Sequence, residues 1–213
     1  MDKNAKYVRM KKIERTIEKL KKNNMNAEFF NTKEELLNKI KSMLRVDMKV
    51  TVGGSMTLFE CGVIELLRES NIDFLDRYKE GLTSDEVREI YIGAFNSDMY
   101  FTSSNAITED GYIFNVDGRG NRVAAITYGP EKVIIIVGAN KIVRNVNEAI
   151  QRNKEVSAPA NAKRLNRKTP CVISGICQEC SSTERICCSY VLTKRQFEKD
   201  RVNIFILEEN LGY

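Results

Sequence analysis

Thr51-Val-Gly-Gly-Ser-Met-Thr57 follows a short run suited to a buried strand, Val50 and Val52, and precedes a helical pattern that begins near Leu58. Two glycines let the backbone turn tightly and approach a ligand closely, while Ser55 and Thr57 are good helix N-caps. Thr57 and Glu60 have the spacing of a capping box. A strand, a Gly-Gly-Ser turn and a helix start present free N–H groups and the positive end of a dipole, a combination suited to a phosphate or carboxylate. An ordinary strand–helix turn would use the same residues.

Downstream of this turn, residues 72–75 read as a second short strand. Thr83 and Glu86 repeat the capping pattern before a helix carrying Val87, Ile90, Tyr91 and Phe95, and residues 99–102 resume a strand. Val133-Ile-Ile-Ile-Val137 is an uninterrupted apolar run ending at Gly138, as expected of a central parallel strand buried on both faces. Asn145 and Glu148 cap a short helix. Ser157 and Pro159 suit the start of another, running to about residue 167 and made basic by Lys163, Arg164, Arg167 and Lys168. Residues 190–192 and 202–207 look like closing strands. Alternation of helix and strand predicts an α/β fold, a mainly parallel sheet flanked by helices.

Between residues 102 and 126 the pattern changes. Asp110-Gly111 and Asp117-Gly118 are turn signals between short β-type runs, which predicts a small antiparallel β insertion with residues 112–116 and 123–126 as its clearest strands. The loop Asp117-Gly-Arg-Gly-Asn-Arg122 is more polar than a minimal hairpin requires. Asn105, Asp117, Gly118, Gly120, Asn121 and Arg122 are therefore candidates to face a ligand together with Gly53, Gly54, Ser55 and Thr57. A structural turn would explain the glycines and Asp117 equally well.

Upstream of the opening turn, Met10, Ile13, Ile17 and Leu20 fall at helical spacing, so the N-terminus reads as an amphipathic helix ending at Asn23-Asn24. Its stripe packs on the body or on a second copy of the chain. Thr32 and Glu35 then cap a second helix bearing Leu36, Leu37, Ile40, Met43 and Leu44. Residues 1–48 are thus expected to be a helical segment packed on an α/β domain spanning 49–213. Nine Lys/Arg against three Asp/Glu in residues 1–22 can attract nucleic acid, but without aromatic interleaving the solvated face of a helix is the favoured reading.

The 213 residues carry 42% hydrophobic and 30% charged side chains and a net charge of +5, ordinary for a globular protein. No apolar run reaches the roughly 20 residues needed to cross a bilayer, and a secretory signal is not recognisable, which makes the cytoplasm the expected location and leaves no membrane role. Histidine is absent. That excludes a Ser–His–Asp triad, a Cys–His pair and imidazole metal ligands, and leaves proton transfer to carboxylates, Lys, Tyr, Cys or a cofactor.

Five of six cysteines lie in Cys171-x5-Cys177-x2-Cys180-x6-Cys187-Cys188. In a cytosolic chain such density points to metal before disulfides, and Cys171, Cys177, Cys180 and Cys187 are the expected ligands of a zinc ion or an Fe–S cluster, with Cys188 able to exchange for Cys187. Free thiols or a redox disulfide are the competing reading. Structural zinc can contribute on the order of 10 kcal/mol of apparent binding energy and staple a loose segment. Cys61 stands apart as a buried helix residue.

The Gly-Gly-Ser-x-Thr-Leu turn, the run Ser-Asn-Ala-Ile-Thr-Glu-Asp-Gly…Asn-Val-Asp-Gly-x-Gly-Asn-Arg-Val-Ala-Ala and the Thr-Pro-Cys-x5-Cys-x2-Cys-x6-Cys motif together resemble the lactate-utilisation (LUD) domain family, in a short form with a C-terminal cysteine motif. The resemblance implies a fold like that of ribose-phosphate isomerases, glucosamine-phosphate deaminases and CoA transferases (the NagB/RpiA/CoA transferase-like class), with the Gly-rich turn at the mouth of the sheet. It also implies an accessory or redox role in oxidation of L-lactate to pyruvate, beside partner subunits that carry Fe–S clusters. The alternative is an enzyme or sensor that binds a sugar phosphate or acyl-CoA and holds a structural zinc. No residue matches a catalytic glutamate or base of those relatives; Glu60, Glu109 and Asp117 are candidates by location.

Overall fold

The computed structural model describes residues 2–213. Its frame is a six-stranded, wholly parallel sheet in the order β1-β10-β7-β4-β2-β3, formed by β1 (Asn26–Phe30), β2 (Lys49–Val52), β3 (Asp73–Leu75), β4 (Met99–Thr102), β7 (Lys132–Gly138) and β10 (Val202–Leu207). The apolar run at 133–137 is a central strand, as its composition requires. Ile134 and Ile136 point into one core with Val50, Phe101 and Phe205, while Val133, Ile135 and Val137 point into the other with Tyr100, Ile204 and Ile206. Each strand face therefore needs a cover.

One face is covered by α2 (Lys33–Met43), α3 (Met56–Glu60) and α4 (Val63–Glu69), which bury Leu36, Ile40, Leu58, Ile64 and Leu67. The other is covered by α1 (Lys3–Lys22) through Ile13 and Leu20 and by α6 (Asn121–Thr127) through Ala125 and Ile126. The capping patterns at Thr32 and Thr83 form as read. Thr32 Oγ1 accepts from the Glu35 N–H, and Thr83 and Glu86 close a reciprocal box at the start of α5 (Ser84–Gly93).

A second, four-stranded sheet lies against the α1 side in the order β8-β5-β6-β9: β8 (Ile142–Val143), β5 (Ala106–Thr108), β6 (Ile113–Asp117) and β9 (Ser189–Thr193). It is mixed, because β5 and β8 run parallel while β6 is antiparallel to both β5 and β9. Its outer face is backed by α7 (Val146–Arg152) and α8 (Ala158–Arg164), joined without a break by a π turn over Asn153–Ser157.

Three local expectations are corrected. Residues 123–126 are helix, part of α6, because Val123 and Ile126 stand one turn apart on its buried face. The helix after the opening turn breaks at Gly62 (φ 77), which separates α3 from α4. Ser157 does not start a helix, since the chain runs helically through it from α7. The N-terminal segment also contributes an edge strand, β1, whose Asn, Ala and Glu give little β signal.

Candidate functional site

Strand order reverses direction at β2. The chain passes from β2 to β3 on one side, then returns to lay β4 on the other side and continues outward through β7 and β10. At such a switch point the loops leaving adjacent strand ends diverge and open a crevice. Here the turn after β2 and the segment Ser103-Ser104-Asn105 after β4 border a cleft of about 370 Å3. The 3-10 turn after β7 (Ala139–Lys141), the Asp117–Arg122 loop and α8 with its C-terminal extension complete the walls.

The opening turn is built for close packing. A Cβ on Gly53 would lie 2.5 Å from the Tyr100 hydroxyl and 2.7 Å from Thr102 Oγ1, both buried. Gly53 N–H donates to the Phe101 carbonyl (2.8 Å) and Ser55 N–H to the Tyr78 hydroxyl (3.2 Å), which fix the turn to β4 and to the loop after β3. Ser55 sits at the N-cap of α3, but its side chain makes no capping hydrogen bond. The expected Thr57–Glu60 box does not form: Glu60 accepts from the Gly212 N–H, and Thr57 is buried within α3. With only five residues, α3 offers little dipole.

Of the ten candidate ligand-facing residues, Gly54, Ser55, Asn105, Asp117, Gly118, Asn121 and Arg122 line the cleft. Gly53, Thr57 and Gly120 stand behind its surface. Arg122 is 8% exposed, and its five N–H donors are all committed within the protein. Nε bonds Asp117 Oδ1; Nη1 bonds the Ser103 carbonyl and Asn115 Oδ1; Nη2 bonds Asn105 Oδ1 and the Val116 carbonyl. Asp117 is engaged as fully, pairing with Arg122 at 2.7 Å and accepting the Val123 N–H. This pair shapes the wall and leaves little to offer a ligand. Glu109 pairs with Arg15 and Lys12 away from the cleft.

Several cleft residues escaped the sequence reading. Lys141 is 3% exposed and donates from Nζ to Thr57 Oγ1 (3.0 Å) and Ser103 Oγ (3.1 Å), with no ion pair among the described residues. Burial, then the Arg152 and Arg122 guanidiniums, lower its pKa to about 7. Arg77 lies over the rings of Tyr91 (4.7 Å) and Tyr78 (5.3 Å), and its Nε is buried without a hydrogen-bond partner among the described residues, as are the Ser55 and Tyr213 hydroxyls. Arg119, Arg164 and Arg167 add cations at the rim. The cleft thus gathers six cationic side chains around one carboxylate, itself already paired. The position of Lys141, three residues past the end of a buried strand, was the available signal.

The cysteine segment abuts this cleft. Cys171, Cys177, Cys180 and Cys187 line one small pocket of about 10 Å3, room for about one water-sized sphere, and Cys188 does not. Cys177 Sγ accepts the Glu179 N–H, and Arg185 bonds the carbonyls of Cys180 and Cys187. Burial and then the Cys177 thiol raise the Cys187 pKa, Arg185 opposing. Cysteine is the residue type that suits a soft or borderline metal, although among the described residues no three thiols or carboxylates are grouped at metal-holding distance. Ile186 borders both pockets, and the Cys188 N–H bonds the Asp117 carbonyl (2.9 Å), so the segment is tied to the cleft wall. Cys61 is buried, which pushes its thiol up to about 12.

A family model described as the LUD domain matches residues 13–207. No curated protein matches the chain. Among solved structures, a DUF162 family protein from Deinococcus radiodurans shares the fold at a TM-score of 0.53 and 15% identity, covering 93% of this chain and 98% of that one. More distant likenesses are eIF2B beta from Chaetomium thermophilum (TM-score 0.38, 10% identity, 55% of this chain and 44% of that) and ribose 5-phosphate isomerase from Plasmodium falciparum (0.34, 16%, 53% and 52%).

Proposed function

The chain belongs to the LUD domain family, and from that premise we propose that it binds a small anion in the cleft at the strand switch point, as an accessory or redox subunit in oxidation of L-lactate to pyruvate beside Fe–S-carrying subunits. The observation that carries the reading is the set of buried hydrogen-bonding atoms without a partner among the described residues, the Ser55 hydroxyl, Arg77 Nε and the Tyr213 hydroxyl, in a cleft where Arg122 alone of six cations is paired with a carboxylate. Leaving such donors without a partner costs about 1–3 kcal/mol each, more for charged groups, and an oxyanion between them would remove that cost.

Cys171, Cys177, Cys180 and Cys187 are the residues that would hold a metal. Zinc there would cross-link the segment that walls the cleft; an Fe–S cluster would supply electron transfer. A phosphorylated ligand, a sugar phosphate or an acyl-CoA, is a second reading, favoured by Arg119, Arg164 and Arg167 standing together at the rim. Thermal-shift titration with L-lactate, inorganic phosphate and coenzyme A tests both. Saturable rises in melting temperature are expected with at least one anion. No rise with any of them would remove the reading. Iron, sulfide and zinc analysis of anaerobically purified protein separates the electron-carrying role from the structural one.

A further inference from the structure

We propose that Lys141 is a nucleophilic amine that forms a reversible imine with a carbonyl compound bearing a carboxylate or phosphate. The inference rests on the cleft being an anion site and names the reacting group within it. Geometry comes first. Lys141 lies on the floor of the cleft, and its nitrogen is held between two hydroxyls, Thr57 Oγ1 and Ser103 Oγ, with no carboxylate paired to it. An ammonium buried for structural reasons alone would be expected to have a counter-ion. Two hydroxyls instead suit a neutral amine, since each can donate to its lone pair or accept from its N–H.

The charged neighbours reinforce this. Burial is the largest influence against the ammonium, Arg152 and Arg122 act in the same direction, and Glu60 and then Cys61 oppose them. An amine desolvated beside other cations is a recognised way to activate a lysine towards carbonyl carbon. At neutral pH a larger share of it is neutral amine than of an ordinary surface lysine. The arginines supply the second requirement, a place for the anionic end of the same molecule. Arg77 offers a buried Nε with no partner among the described residues.

The chemistry balances without an oxidant. The Lys141 nitrogen attacks the carbonyl carbon, and the C=O π pair moves to oxygen, which takes a proton to give a carbinolamine. Loss of the hydroxyl with a second proton forms the C=N bond and one water. Both protons originate on the amine, and the Ser103 and Thr57 hydroxyls are placed to relay them.

The test incubates the full chain with pyruvate or, separately, dihydroxyacetone phosphate, adds cyanoborohydride and maps the reduced adduct by peptide mass spectrometry. Melting temperatures are recorded in parallel without reductant. The expected result is saturable labelling at Lys141, roughly tenfold or more above any exposed lysine. Inorganic phosphate should suppress it, and Lys141→Arg, which keeps N–H donors but removes the nucleophilic amine, should abolish it. The better of the two carbonyl compounds identifies the anionic group. If an anion raises the melting temperature but label is spread over surface lysines and persists in Lys141→Arg, the imine is overturned while the anion site stands. If no anion shifts the melting curve and no site is labelled, both fail.

Discussion

Arg122 and Lys141 are both buried cations on the cleft, and their surroundings treat them oppositely. Arg122 meets an acceptor at each of its N–H groups and pairs with Asp117. Arg122→Ala would leave that carboxylate buried and unpaired, so urea denaturation should show a loss of about 3–5 kcal/mol. Lys141 has hydroxyls only, and its lowered pKa makes it a source of pH dependence. Between its folded value near 7 and its ordinary value of 10.5, the unfolded chain binds more protons here than the folded chain. Its destabilising contribution is therefore complete below pH 7 and disappears as pH rises towards 10.5. At about 1.4 kcal/mol per pKa unit this amounts to a few kcal/mol. Lys141→Met should be more stable than wild type at pH 6.5, by an amount that shrinks steadily as pH is raised to 10; a difference independent of pH would contradict the burial argument. Gly53→Ala places a methyl against the Tyr100 and Thr102 oxygens and should cost about 1–3 kcal/mol by thermal denaturation.

Among the elements, those with paired local signals were legible. The helices capped at Thr32, Thr83 and Asn145 begin where the spacing to Glu35, Glu86 and Glu148 places them, and the apolar run at 133–137 is the central strand. Elements that depend on distant contacts were not. Strand β1 is defined by pairing with β10, some 177 residues on, and α6 by the surface it covers. The opening turn was legible as a strand–helix turn, but its capping box was not real because Lys141 and Gly212, from elsewhere in the chain, engage Thr57 and Glu60. The cysteine segment yields its own prediction. If it holds metal, Cys177→Ser should lower metal content and melting temperature. Cys188→Ser should change neither, because that thiol lies outside the shared pocket and donates only to the Arg185 carbonyl. Metal loss on changing Cys188 would assign the fourth ligand differently.

At the scale of the molecule, the parallel order β1-β10-β7-β4-β2-β3 explains why these polar and cationic side chains collect where they do. Residues distant in sequence, from Ser55 and Arg77 to Ser103, Lys141 and Arg164, meet because each follows the C-terminal end of a strand or the helix packed beside it. Alternation of helix and strand made the architecture readable, whereas the convergence of cations was not, since single arginines scattered over ninety residues carry no periodicity. Among the described residues no helix is long and apolar enough to cross a membrane. The claim that this convergence is an anion site is tested most directly by melting temperature against concentration of phosphate, L-lactate and pyruvate, at two salt concentrations, for wild type and Arg77→Met. The expected result is a saturable rise for at least one anion, weaker at high salt and reduced at least about tenfold in apparent affinity by Arg77→Met. A melting temperature unmoved by all three, or a rise that Arg77→Met leaves intact, would contradict it.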